Sequence, residues 1–270
     1  MVALAGPPSA TSLTAALKRR VSAWWRVTHF GAALLALALS PSTYSKRHRA
    51  AVARHLVLDT APNLAWFTVL STLISLVLIR IVVVTAASYG LSQFAVQMVV
   101  RVLVLELIPT TGALFVALRC TIPRGAELAE WRLARNRTTA AGLDRAHDDP
   151  VRDEVVPRAV AGIFAVWTLV AVSGVVALVV AYLVVYGFAT GGLVAYTRTV
   201  GQVFEPDLSL LFVLKTLFLS LAVGIIPMAW AWGGPPTRRS AAGRELQVLV
   251  RLFVVILLIE VASLMGSYYG

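Results

Sequence analysis

The sequence predicts an all-α protein that crosses a membrane five times, and three observations support this fold class. Hydrophobic residues make up 59% of the 270 residues and charged residues only 14%, whereas soluble domains carry about 25% charged residues. Five apolar runs are long enough to cross a hydrocarbon core of about 30 Å. The basic residues are concentrated in alternate segments between these runs. An ordinary soluble enzyme is therefore excluded.

The predicted spans cover about residues 64–85, 94–118, 159–187, 208–232 and 246–269. The third run carries no charge, and at 1.5 Å per residue it is about 44 Å long, so it must tilt or extend beyond the membrane. We expect two regions, with N-terminal interfacial or elbow helices in residues 1–60 and a five-span membrane domain in residues 61–270.

The distribution of basic residues predicts the orientation. Nineteen of the 24 Lys and Arg residues lie before the first run, between the second and third, or between the fourth and fifth. Because basic loops remain on the cytosolic side, the N-terminus is predicted to be cytosolic and the C-terminus external. The net charge of +11 is then explained by the basic residues that set the membrane orientation, and it does not indicate nucleic-acid binding.

Residues 11–40 allow two interpretations. Basic residues precede the apolar stretch 30–39, as in a signal peptide. Leu13 and Leu17 recur at helical spacing with Lys and Arg opposite, which is typical of a helix lying in the membrane interface. We favour the interfacial helix, because cleavage would leave the basic residues 46–54 on the wrong side of the membrane.

Charged residues within the spans are the most informative feature, since each costs about 2.5–3.5 kcal/mol unless it is paired or solvated. At 1.5 Å per residue, Arg80 and Arg101 lie roughly 8 Å and 10 Å from the outer ends of their spans, and Glu260 roughly 13 Å from the end of its own. Lys215 lies at a depth similar to that of Arg101. Snorkelling to the nearer interface is an alternative for Arg80, Lys215 and Arg251.

Pairing within one helix does not account for Arg101 and Glu106. Residues five apart are separated by about 140° around an α-helix, so their partners must lie on other helices, in water or on a ligand. We predict a polar cavity that opens outward, in which Arg80 and Arg101 bind an anionic headgroup. Glu106 precedes Pro109, which removes a backbone hydrogen bond and kinks the helix.

The motifs of common enzyme classes are missing from the sequence. It contains no GxxxxGK[ST] phosphate loop, no GxSxG and no HExxH. Its single cysteine, Cys120, and its four histidines have no metal-ligand spacing. We predict a non-enzymatic chain with no cofactor and no metal, and any ATP hydrolysis must occur in a separate subunit.

Residues 106–128 carry a recognisable series of motifs. They resemble the ELGP…AL…AGR…AE(I/L)G signature of the MlaE/YrbE permeases, the membrane subunits of ABC transporters associated with mammalian-cell-entry (MCE) proteins. The matching elements are Glu106-Leu-Ile-Pro109, Ala113-Leu114, Ala117-Leu-Arg119 and Ala126-Glu127-Leu128. Asp149-Pro150 and Val156-Pro157-Arg158 are similar to the next family elements, and residues 207–260 resemble its last two helices. The resemblance covers the chain from about residue 46 to the end.

The resemblance implies an MlaE-like permease fold of five transmembrane helices plus an N-terminal interfacial helix, multi-pass in a bacterial inner membrane, with the N-terminus cytosolic and the C-terminus periplasmic. It further implies a dimer around a central lipid cavity, in which a homodimer is favoured and a heterodimer remains open. A separate ABC ATPase subunit would dock on a cytosolic helix at about 125–140, and an MCE-domain protein would lie outside. The implied function is transport of phospholipid or a related lipid. The alternative is a non-transporting scaffold that anchors an MCE complex.

Site residues follow from the charges and the resemblance together, in three groups. Tyr89 is placed in the lipid-binding group because the family often has a tyrosine near the cavity mouth, although an interfacial aromatic belt explains it equally well. We expect Arg80, Tyr89, Arg101 and Glu260 in the lipid-binding cavity, Glu106, Pro109 and Arg119 in structural or coupling roles, and Glu127, Trp131 and Arg135 in ATPase docking.

The sequence departs from the family pattern at three places. Arg135-Asn136 replaces the usual Glu-Gln of the docking helix, Leu78-Ile79-Arg80-Ile81 replaces a glycine-rich pattern, and Glu245-Leu246-Gln247 replaces threonines. The first departure reverses a charge at the expected ATPase contact. We therefore predict a divergent member, in which either that contact is rewired or the chain pairs with a second, non-identical permease. If Arg135 is a contact, it should meet an acidic residue of the ATPase.

Overall fold

The computed structural model describes residues 25, 27–38, 40, 46–140, 150–233 and 241–269, and nearly all of them are helical. These residues contain no strand. The helices are α1 (Val27–Ala38), α2 (Lys46–Ser88), α3 (95–140), α4 (Val151–Tyr186), α5 (Leu193–Val203), α6 (Pro206–Gly233) and α7 (Ala241–Tyr269). The predicted interfacial helix lies only partly within this range, and its first half is outside the described residues.

Five of these helices, α2, α3, α4, α6 and α7, are long and apolar enough to cross a membrane. The five predicted spans are thus confirmed. We call the side reached by the end of α3 the basic side, because described basic residues cluster at the start of α2, at the end of α3 and at the start of α4. In α2 the apolar part, Thr60–Ser88, continues without interruption from a basic helical segment that starts at Lys46.

Helix α3 is continuous from the membrane into the expected docking region, and its backbone changes type along its length. It consists of Ala95–Val99, a π-helical segment Val100–Leu107, Ile108–Val116, a second π-helical segment Ala117–Thr121, and Ile122–Ala140. We call Ile122–Ala140 the α3 extension. Because no loop separates the extension from the span, a displacement of one is transmitted directly to the other.

Helix α4 lies at the centre of the bundle and packs along α2, α3 and α6. Glycines allow the close approach of α4 to α6 and α3. A Cβ on Gly224 of α6 would lie 2.8 Å from the carbonyl oxygen of Ala159 and 2.6 Å from Cγ1 of Ile163. A Cβ on Gly162 of α4 would lie 2.6 Å from Cγ2 of Thr121. Small residues at such contacts are the usual basis of helix packing in membranes.

A hydrophobic cluster separate from the main core covers the basic-side end of the bundle. Helix α1 contributes Val27 and Leu34, and the α3 extension contributes Leu128. Arg132 of the extension donates to the carbonyl oxygen of Trp232, at the end of α6. This bond satisfies a terminal helix carbonyl and places a cation at the negative end of the helix dipole. The extension is therefore held against the end of α6.

Three tyrosines hold α5 against the opposite end of α4. The rings of Tyr182, Tyr186 and Tyr196 lie within 5.3–6.0 Å of one another, centroid to centroid. The Tyr196 hydroxyl donates to the carbonyl oxygen of Leu178 at 2.7 Å. Burial raises the pKa of the Tyr196 phenol to about 12, so this donor stays protonated at physiological pH.

We expect Gly224→Ala to destabilise the fold, because the new methyl group would meet a backbone carbonyl that cannot move independently. Overpacking of this kind costs about 1–3 kcal/mol. The measurement is the thermal unfolding midpoint of the purified protein in nanodiscs. Gly201→Ala on the exposed side of α5 is the matched control, since no atom lies within 4 Å of its Cβ position. The control should be neutral or slightly stabilising, and equal midpoints for both variants would contradict the packing argument.

Candidate functional site: a lysine between two carboxylates

Lys215 of α6 lies at the centre of a buried charged cluster. Its side chain is 1% exposed. The Nζ atom donates to Oε2 of Glu106 on α3 and, at 2.9 Å, to Oε1 of Glu260 on α7. One ammonium group thus joins three spans. We call Glu106, Lys215 and Glu260 the charged cluster.

Thr110 of α3 completes the hydrogen bonding of the cluster. Its hydroxyl donates to Oε2 of Glu260 at 2.6 Å, so both oxygens of that carboxylate are bonded. The side chains of Glu106 and Glu260 are 23% and 21% exposed, whereas that of Lys215 is almost fully buried. In a medium of low dielectric constant such ions persist only when they are paired and hydrogen-bonded.

The backbone of α3 accounts for the position of Glu106. Pro109 has no N–H, so the carbonyl of Leu105 lacks the donor that an α-helix would supply. The chain is π-helical from Val100 to Leu107, immediately before this proline. Lys215 supplies a donor nearby, because its ammonium has three protons and Nζ lies 3.4 Å from the carbonyl oxygen of Glu106.

The π-helical segment also corrects one expectation. Arg101 and Glu106 were expected on different faces of an α-helix, and this is wrong, since both line one small cleft. In a π-helix the hydrogen bonds join residues five apart, so such residues lie about one turn apart on the same face. We call this space the outer cleft. It is lined by Arg101, Leu105, Glu106, Leu208, Leu211, Phe212, Ser263 and Ser267.

An apolar slot adjoins the outer cleft between α6 and α7. Its volume is about 380 Å³, and Lys215 is the one charged residue in its lining. Leu211 and Ser263 line both spaces, so the polar cleft and the apolar slot are adjacent. The slot is lined by Leu211, Leu214, Lys215, Phe218, Val255, Leu258, Ile259, Ala262 and Ser263. The slot is large enough for part of a hydrocarbon chain, whereas the outer cleft, at about 20 Å³, is a small polar recess beside it.

Two of the three residues proposed to snorkel make contacts inside the protein instead. Lys215 is buried and ion-paired, so the snorkelling alternative is wrong for this residue. The guanidinium carbon of Arg251 lies 3.6 Å from the ring centroid of Trp230, within the range of a cation–π contact. In both cases the partner lies on a neighbouring helix, so it could not be identified from the sequence of one helix alone.

Arg80 and Tyr89 lie away from the charged cluster. Arg80 is on the exposed face of α2, and Tyr89 is 76% exposed in the turn that follows α2. Within the described part of the chain neither residue contacts the cluster. Their place in a lipid cavity remains a prediction, which a second subunit would have to complete.

The residues expected to dock the ATPase occupy different faces of the α3 extension. Glu127 is exposed. Trp131 packs against the hydrophobic cluster on the basic side, and the guanidinium carbon of Arg135 lies 5.3 Å from its ring centroid. Trp131 thus faces the body of the protein. Arg119, at the start of this region, is exposed.

Sequence reasoning did not pair Lys215 with Glu106 and Glu260, although the signal was present. The spans placed Lys215 and Glu260 at similar depth with opposite charges, and Glu106 near the middle of its own span. Nothing in the sequence showed that α3, α6 and α7 are neighbours. The bond from Thr110 to Glu260 was not predicted either.

Five apolar helices with a charged cluster between three of them are the architecture of a polytopic membrane protein. The family model "Permease MlaE" matches residues 52–265, which is most of the chain. The chain belongs to the MlaE permease family, and it is a membrane transport subunit of that kind. None of the curated proteins with which the sequence was compared matches it.

We expect Lys215→Met to destabilise the protein strongly, because it leaves two carboxylates facing each other without a cation. Removing one partner of a buried ion pair costs about 3–5 kcal/mol. Adding Glu106→Gln and Glu260→Gln should recover most of this loss, since no uncompensated charge then remains. The thermal unfolding midpoint in nanodiscs measures both effects. A single variant as stable as the triple variant would show that the cluster is not held by charge.

Proposed function

We propose that this chain is the permease subunit of a lipid ABC transporter that moves phospholipid between a bacterial inner membrane and an MCE-domain protein. A separate ATPase subunit supplies the energy. The basic side is cytosolic, which places the N-terminus in the cytosol and the C-terminus in the periplasm. The observation that carries the proposal is the charged cluster beside a cleft that is polar at one end and apolar at the other.

The lipid site consists of the outer cleft and the slot. Arg101 is exposed at the outer cleft and makes no hydrogen bond or ion pair within the described residues, so its guanidinium is available to a phosphate. Ser263 and Ser267 add hydroxyl groups to the same lining. The slot then receives an acyl chain between α6 and α7.

The charged cluster couples this site to movement of the helices. Glu106, Lys215 and Glu260 belong to α3, α6 and α7, and Glu106 lines the outer cleft while Lys215 lines the slot. A phosphate that approaches Arg101 also approaches the carboxylate of Glu106, and their repulsion favours a rearranged cluster. Lipid binding and the relative positions of the three spans are thereby linked.

The ATPase docks on the exposed face of the α3 extension. Pro123, Glu127, Glu130 and Arg137 recur there at helical spacing and are exposed. This face carries the contact, with Arg135 at its side, while Trp131 holds the extension to the body. Since the extension is continuous with the span that carries Glu106, the ATPase moves the cluster directly.

Two copies of the chain form the transporter. Helix α7 is the least buried of the spans, with an exposed apolar face suited to packing against a second copy. Arg80 and Tyr89 face the same shared cavity in this assembly, and the MCE-domain protein lies at its periplasmic end. A homodimer is favoured because one chain supplies both the cluster and the cleft.

We expect Arg101→Gln to weaken phospholipid binding about tenfold, since hydrogen bonds to charged groups contribute about 1.5–3 kcal/mol. The measurement is lipid-stimulated ATP hydrolysis by the assembled complex, titrated with phosphatidylglycerol in nanodiscs. Arg198→Gln, an exposed arginine on α5, is the control and should leave the titration unchanged. Complexes that assemble but show no stimulation by any lipid would support the scaffold instead.

Charge reversal on the docking face provides a second test. We expect Glu130→Lys to reduce binding of the ATPase subunit by several-fold, because interfacial charges set both association rate and specificity. Glu205→Lys places the same charge change on an exposed residue at the other side of the membrane and should have no effect. Co-purification of the ATPase at graded salt concentrations reports the difference. Equal recovery with both variants would rule out this face as the contact.

A further inference from the structure

Two stripes of side chains run along α2 and α7, which are the two least buried spans. In each stripe the members are four and three residues apart in turn, a spacing that keeps them on one helix face. One charged residue occupies the same place in both stripes, and the apolar members are 43–60% exposed. The α2 stripe consists of Leu73, Val77, Arg80 and Val84, and the α7 stripe consists of Phe253, Leu257, Glu260 and Leu264.

The two stripes match in direction and depth. Helix α2 starts in its basic segment, and α7 starts on the side where α6 ends, so both helices run outward from the basic side. Arg80 and Glu260 each lie about two to three turns from the outer ends of their helices. Side by side, the stripes therefore pair member by member, with Arg80 opposite Glu260. The same spacing continues towards the basic side through Trp66 and Leu70 on α2 and through Leu246 and Val250 on α7.

The charges of the two stripes are not balanced within one chain. The charged cluster holds one cation and two carboxylates, so it carries one excess negative charge. Glu260 is 21% exposed and lines neither the outer cleft nor the slot, and it lies beside the exposed Leu257 on the surface of α7. Arg80 is exposed and makes no hydrogen bond or ion pair in the described part of the chain, whereas Arg101 faces the outer cleft. In hydrocarbon a cation such as Arg80 requires an anionic partner.

Helices α2 and α7 form the two edges of the bundle. Helix α2 packs on α4, α4 packs on α6, and α6 packs on α7, so each edge helix leaves one side uncovered. A second copy related by a two-fold axis along the membrane normal covers both edges, because α2 of each copy then meets α7 of the other. The same contact forms twice, and the paired helices stay parallel, as the match of the stripes requires.

We propose that the α2 stripe of one copy packs along the α7 stripe of a second copy, and that Arg80 pairs with the partner subunit's Glu260. This inference rests on the two-copy assembly proposed above and names its contact. The pair balances the excess negative charge of the partner's cluster, so each copy completes the ion network of the other. Opposite charges at one matched position also fix the register of the two helices.

Disulfide cross-linking of the full-length protein in membrane vesicles tests the contact. Val77→Cys with Leu257→Cys should give a cross-linked dimer after addition of copper–phenanthroline as oxidant, since a disulfide requires Cα atoms within about 7 Å. The control pairs Leu257→Cys with Val175→Cys on α4, because Val175 is 62% exposed and as far as Val77 from the outer end of its helix. Cys120 is buried and is present in every variant. No cross-link, equal cross-linking of both pairs, or a dimer formed by either single variant of the first pair would overturn the proposal.

Charge variants test the Arg80 contact. Arg80→Glu should weaken dimerisation about tenfold for each of the two contacts, as expected for a lost charge-assisted hydrogen bond. Energy transfer between labelled copies, at graded ratios of protein to lipid, measures the effect. Arg80→Lys keeps the charge and should retain most of the dimer, and Arg198→Glu is the control for the same charge change outside the stripes. Because Arg80 is exposed, its variants are expected to fold, and unchanged dimerisation of Arg80→Glu would exclude the ion pair.

Failure of this contact and failure of the proposed function give different results. A complex whose ATP hydrolysis is stimulated by lipid, but whose stripes do not cross-link, keeps the transport function and overturns this interface. A cross-linked complex without stimulation supports the interface and favours the scaffold over the transporter.

Discussion

The ion cluster of Glu106, Lys215 and Glu260 is the interaction on which the arrangement of the spans depends. Each of these groups alone is costly in hydrocarbon, and the cost is offset only while the ammonium stays between the two carboxylates. Apolar faces can slide or repack against lipid with little penalty, since lipid tails are as apolar as leucine. The cluster therefore fixes α3, α6 and α7 relative to one another in a way that apolar packing cannot.

The position of the charged cluster links the docking face mechanically to the membrane spans. Helix α3 carries Glu106 within the membrane and the docking face beyond it, in one continuous helix. Arg132 ties the extension to the end of α6, which carries Lys215. A displacement at the extension thus reaches both partners of the ion pair, and the π-helical segments give α3 places where its register can change.

The sequence was sufficient for the coarse features and insufficient for contacts between helices. Long apolar runs are local signals, so five spans could be predicted, and the series of motifs at residues 106–128 predicted the family. The Lys215 pairing depends on which helices are neighbours, and the shared face of Arg101 and Glu106 depends on a π-helical segment that α-helical spacing does not anticipate. Trp131 looked like a docking residue from its place in the motif, whereas its burial is decided by α1, α4 and α6.

The central claim is that a cation held between two carboxylates joins lipid binding to ATP hydrolysis. Exchanging the charges tests it most directly, because Glu106→Lys with Lys215→Glu rebuilds a lysine beside two carboxylates in a different order. The measurement is lipid-stimulated ATP hydrolysis by the complex in nanodiscs. The account predicts that each single reversal abolishes stimulation and that the double reversal restores a large part of it. A folded double variant no more active than the single ones, or a fully active Lys215→Glu, would contradict the account.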